Sequence, residues 1–173
     1  MDEEMRTEVT GKVDPRPVRG ELPSDNIEIR IFTLADHAEA IASNGKLYIN
    51  GAGITSIGMG TIPSGLPPIS LALRLAIPWH KRTEPVRITI RVLNEDRTAV
   101  VPEPLLDVPA EVGRPPGMRP GDEAAVNAAI ALGGLPIARE GTIYFQLDAD
   151  GETIARLPLK LTRLRVAIGP IAQ

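Results

Sequence analysis

Apolar residues recur at every second position through much of the chain, the period of extended strands with one buried face. The clearest run is Ile69-Ser70-Leu71-Ala72-Leu73-Arg74-Leu75-Ala76-Ile77, in which every odd position is Ile or Leu. Pro67-Pro68 and Pro78 set its ends, because proline has no amide proton to give a sheet ladder. Val86 to Val92 repeats the pattern with its even positions inward, and Ile27 to Phe32 and Leu106 to Val112 alternate in the same way. Asn44-Gly45, before Lys46-Leu47-Tyr48-Ile49, and Asp150-Gly151, between Thr142–Leu147 and Thr153–Leu161, are hairpin signals. Both pairs tolerate the positive φ of a type I′ turn.

Two Ala-rich stretches are less plain. Leu34 to Ile41 predicts one or two helical turns, since Ala is the best helix former. For Glu123 to Leu132 propensity favours helix, while its place between strand-like regions favours a strand over Ala125 to Ala131. Asn94-Glu95-Asp96-Arg97 reads as a polar turn, Gly113 to Gly121 as a loop and Gly133-Gly134-Leu135-Pro136 as a turn. The sum is an all-β chain: an antiparallel β-sandwich of about eight strands with at most one short helix and an aliphatic core. Residues 1–25, with Pro15, Pro17, Gly20 and Pro23, read as an extended N-terminal arm. Residues 26–163 form the sandwich domain, and 164–173 a C-terminal tail.

Composition narrows the function. With 173 residues, 43% of them hydrophobic, the chain suits one domain with a real core. A net charge of −3 argues against nucleic acid as partner, and no apolar run is long enough for a membrane span. There is no Cys to form a disulfide, a thiolate metal site or a nucleophile. Two His and few aromatics leave little material for catalysis. The acidic start, Met1-Asp2-Glu3-Glu4-Met5-Arg6, precedes no apolar leader region, so the expected location is cytoplasmic, with a virion or other assembly equally compatible.

Each chemical motif has a plain structural reading beside it. Gly51-Ala52-Gly53-Ile54-Thr55-Ser56 begins like a dinucleotide fingerprint, but Gly58, Gly60 and Pro63 would break the helix it needs. It reads as a strand with close backbone approach or a bulge. Asp36, His37 and Glu39 offer metal-ligand chemistry but fall short of a three- or four-ligand set, and solvation at a helix N-terminus is the simpler account. Asp148-Ala149-Asp150-Gly151-Glu152 has the flavour of a calcium loop without the remaining oxygens, and reads as a hairpin turn. No Gly-x-Ser-x-Gly elbow is present. The sole Trp lies in Trp79-His80-Lys81-Arg82, and Trp and Arg are enriched at interaction hot spots. Trp79, His80 and Arg82, with Arg114 and Met118 of the Gly113–Gly121 loop, are therefore the candidate interaction residues. No catalytic, cofactor-binding or metal residue is nominated, and no cofactor is expected.

The order of segments resembles an uncharacterised family of small bacterial β-sandwich proteins, a domain of unknown function. The resemblance lies in Ala35-Asp36-His37-Ala38-Glu39, in Gly45-Lys46-Leu47-Tyr48-Ile49-Asn50-Gly51-Ala52-Gly53-Ile54-Thr55 and in Leu71 to Leu75 through Pro78-Trp79. It continues in Gly113-Arg114-Pro115-Pro116-Gly117 and in Asp150-Gly151-Glu152 with Leu157-Pro158, and spans about residues 26–163. It implies fold and assigns no site. The expected function is a non-enzymatic structural or protein-interaction subunit of a homo- or hetero-oligomer, its arm and tail lying on neighbours. The alternative is a small-ligand or carbohydrate-binding module with a rim site near Trp79.

Overall fold

A computed structural model describes residues 26–43, 45–78, 81, 84–113, 117, 119 and 124–164. The arm, residues 165–173 of the tail, and Asn44 lie outside them. Among the described residues the chain forms eleven strands and no α-helix. They are β1 (Glu28–Ile41), β2 (Lys46–Ala52), β3 (Ser56–Met59), β4 (Ser64–Gly65), β5 (Ser70–Ile77) and β6 (Val86–Asn94). There follow β7 (Leu106–Ala110), β8 (Ala124–Ala131), β9 (Pro136–Ile137), β10 (Gly141–Ala149) and β11 (Glu152–Arg163). One sheet has the order β2-β1-β5-β8 and the other β3-β11-β10-β6-β7, with β4-β9 as a short ladder. Every pairing is antiparallel except β3 with β11. The all-β reading is right, with more strands than expected, several of them short. No helix of the described residues is long and apolar enough to cross a membrane.

The alternating residues meet between the two sheets. Leu71, Leu73, Leu75 and Ile77 of β5 join Val86, Ile88, Ile90 and Val92 of β6, Phe145 and Leu147 of β10, and Leu159 and Leu161 of β11 in one cluster. Burying each Leu or Ile contributes about 1.5–3 kcal/mol against exposure, so this shared layer dominates the stability. At the Asp150-Gly151 hairpin both residues have positive φ, 50° and 84°, and Ala149 pairs directly with Glu152, as a two-residue turn demands. The Asn44-Gly45 signal also marks a hairpin, but its loop spans residues 42–45, with Ile41 paired to Lys46.

The helix expected over Leu34 to Ile41 is replaced by strand. Residues 28–35 of β1 pair with β5, and residues 35–41 pair with β2, setting Ala38 against Ile49 and Ala40 against Leu47. Ala38 is buried while His37 and Glu39 are exposed, so the segment is read with period 2 once a partner strand is present. Helix propensity differences of a few tenths of a kcal/mol per residue yield to a ladder of that length. The Ala125–Ala131 stretch resolves the same way, as β8.

One sheet has a second buried face. Ser70, Ala72 and Ala76 of β5 and Ala35 of β1 point away from the shared core, yet Ala35 and Ala72 are fully buried. Opposite them in register stand Ala125, Ala129 and Ala131 of β8. This face, mostly small but carrying Arg74 as well, is where the sheet curls: β1 and β2 come near β8, although β8 pairs with neither. At the closing point Asn127 Nδ2 donates to the Gly45 carbonyl of the β1–β2 loop at 2.8 Å.

Candidate functional site

Trp79, His80, Arg82, Arg114 and Met118 all lie outside the described residues. The rim reading near Trp79 therefore lies there too. Asp36, His37 and Glu39 are described and do not converge. His37 and Glu39 share one face of β1, opposite Asn50 and Tyr48, and Asp36 lies on the other, over Gly51. A Cβ at Gly51 would run into the Asp36 carboxylate, and its φ is +66°, so close approach accounts for Gly51, whereas Gly53 has open space around it and is set apart only by its φ of +96°. The helix-N-terminus account of these acids falls with the helix.

The outer face of the five-stranded sheet carries most of the polar side chains. Asp107 accepts from Arg87 Nε and Nη2, both at 2.7 Å, in a bidentate pair. That guanidinium holds the Asp107 carboxyl below the usual range and is itself raised by the carboxylate. One strand further, Asp148 has a side chain only 3% exposed. It accepts from Arg91 Nη1 at 2.9 Å, Gln146 Nε2 at 3.0 Å and Thr153 Oγ1 at 2.7 Å. Arg156 Nε donates to Gln146 Oε1 at 3.0 Å and completes the row. The calcium-like Asp148-x-Asp150 pair is thus structural: Asp150 Oδ1 accepts from the Arg87 amide, and Asp148 closes the ladder. No buried side-chain nitrogen or oxygen among the described residues lacks a partner.

A shallow cleft of about 290 Å³ borders the turn after β6, lined by Asn94, Glu95, Asp96, Arg139 and Thr142 among others. Two of its acids, Glu95 and Asp96, are hydrogen-bonded within the protein. Glu95 Oε1 accepts from the Thr142 amide at 3.0 Å, and Asp96 accepts from Thr98 and from Arg139 Nη2. The Thr98 hydroxyl and amide, then Arg139, pull the Asp96 carboxyl down to about 2. These bonds organise a turn; Glu140, also on the cleft wall, lies 3.7 Å from Arg163 Nε.

The four sheet edges differ sharply. β2 carries Lys46 and has left-handed Gly51 next to its end, β3 is four residues long, and β7 contains Asp107 and Pro109. Charge, brevity and proline are the usual devices that keep an edge from pairing with another chain. β8 has none of them. Its eight residues, Ala124-Ala125-Val126-Asn127-Ala128-Ala129-Ile130-Ala131, hold no charge, Gly or Pro, and Ala125 to Ile130 are all half-buried. Its one polar side chain is engaged within the chain, with Asn127 Oδ1 accepting from Arg74 Nη1 at 3.3 Å and Nδ2 bound to Gly45. Among the described residues, β5 alone pairs with β8. Sequence reasoning left this segment between helix and strand and missed the edge, because edge position depends on sheet order; its uncharged composition was the available signal.

Compared with known proteins, residues 30–162 match a family described as a family of unknown function (DUF6941). No curated protein matches the chain.

Proposed function

The chain belongs to the DUF6941 family, and we propose that it is a non-enzymatic protein-interaction subunit of an oligomeric assembly, joined to its neighbours through strand β8. The observation that carries the reading is the uncharged, proline-free edge of β8, beside three edges that are blunted. An edge strand offers a row of backbone donors and acceptors, so a partner strand gains hydrogen bonds and buried apolar area together. The acids of the described face and cleft support the same reading, since Asp96, Asp107 and Asp148 are each bound by protein groups that fix strands and turns.

Photocrosslinking from position 131, the exposed end of β8, tests it in the native host. The expected result is an adduct of one defined mass, containing either a second copy or another protein at fixed ratio. Unadducted chain alone, with a probe at the exposed β7 residue Val108 behaving identically, would overturn it.

A further inference from the structure

Resting on that reading, we infer that the partner of β8 is β8 of a second copy, antiparallel about a twofold axis at Ala128. For two copies to continue one sheet with both cores on the same side, paired residue numbers must sum to an even value, because side chains alternate between faces. A sum of 256 pairs Val126 with Ile130 of the second copy on the core side and Ala128 with itself. On the curled side it pairs Ala125 with Ala131 and Asn127 with Ala129. A sum of 254 instead opposes Asn127 to Asn127 and leaves Ile130 against Ala124. The first register is favoured, since Val126 and Ile130 already flank the main core and are only half covered.

The strand suits its own copy in two further respects. It carries no ionisable residue, so antiparallel self-pairing meets no like-charge opposition across the ladder. Its Asn127 amide is held toward Gly45 and Arg74, and so is not stranded by an apolar neighbour. An eight-residue edge gives an interface at the small end of stable ones, so the dimer is expected to form reversibly with concentration.

The chain contains no cysteine, which makes the register directly testable in the whole chain. Light scattering over a dilution series is expected to show a monomer–dimer equilibrium. Oxidation of Ala128→Cys is expected to give a covalent dimer, because only the 256 register sets that position against itself, while Ala129→Cys stays unlinked. Ala125→Lys/Ala131→Lys opposes two pairs of like charges and is expected to raise the dissociation constant by about tenfold or more. Mixing that variant with Ala125→Glu/Ala131→Glu restores association, which shows that both still fold. A monomer at every concentration overturns the inference; if position 131 then still crosslinks to another protein, the interaction reading stands without it. A monomer whose β8 amides are protected also overturns it, by assigning the edge to residues 1–25 of the same chain. Ready linkage through Ala129→Cys overturns the register.

Discussion

On the outer face of the four-stranded sheet stand Ala35, Ser70, Ala72, Ala76 and Ala125, Ala129 and Ala131 of β8, with one Arg74–Asn127 pair among them; on that of the five-stranded sheet stand Arg87, Thr89, Arg91, Asp107, Gln146, Asp148 and Arg156. Both faces lie behind the same aliphatic core. The first is covered by curling, which small side chains permit, and the second by long guanidinium groups reaching across strands to carboxylates and an amide. Each face runs to an edge of its sheet. The arginine ladder ends on β7, where Asp107 and Pro109 discourage further pairing, whereas the alanine face ends on β8, which carries neither charge nor proline. The two edges therefore differ in the features that keep another strand from pairing.

Overfilling the small face is the strongest way to break this contrast. Ala72→Leu, at a position with no exposure, is expected to lower stability by about 1–3 kcal/mol and to lower the melting temperature by several degrees. Scanning calorimetry checks it, and a neutral result would mean the curl does not depend on small residues. On the opposite face, Asp148→Ala removes the acceptor shared by Arg91, Gln146 and Thr153. The expected loss is about 2 kcal/mol by urea unfolding; it is moderated because Arg91 is half exposed and regains water. Asp148→Asn, which keeps an acceptor, is expected to fall between.

The smallest effect is acidic. The folded form holds the Asp96 carboxyl at about 2 against an ordinary 3.8, so the unfolded chain takes up the proton first. Its stabilising contribution is complete above the ordinary value and fades as pH falls toward about 2. The gap in melting temperature between wild type and Asp96→Asn is therefore expected to be small at neutral pH, since the group is exposed, and to close on acidification. A gap that stayed constant would contradict the assignment. Asp107, lowered by Arg87, follows the same sign.

Much of this architecture was legible in the chain, and the failures have physical causes. The Ile69–Ile77 alternation and the Asp150-Gly151 turn are local signals, and both are found where expected. Leu34 to Ile41 misled because alanine is locally biased toward helix, while its strand form depends on pairing with β2 on one side and β5 on the other. The same alternation that set Leu71 and Leu73 inward gave no sign that Ala72 would also be buried, since that follows from how far the sheet curls. Asp148 looked like part of a turn; its role in the ladder depends on the register that brings Arg91 beside it. The candidate site was least legible of all. Rare residue types drew attention to Trp79, His80, Arg82, Arg114 and Met118, outside the described residues, whereas β8 is conspicuous only for the charges and prolines it lacks.

Hydrogen exchange of the backbone amides of β8 and β7, the two unlike edges, tests the central claim most directly. The outward amides of β8 are predicted to be protected in concentrated solution and to lose that protection on dilution, while those of β7 exchange quickly at both concentrations. Rapid exchange along β8 at every concentration would contradict it.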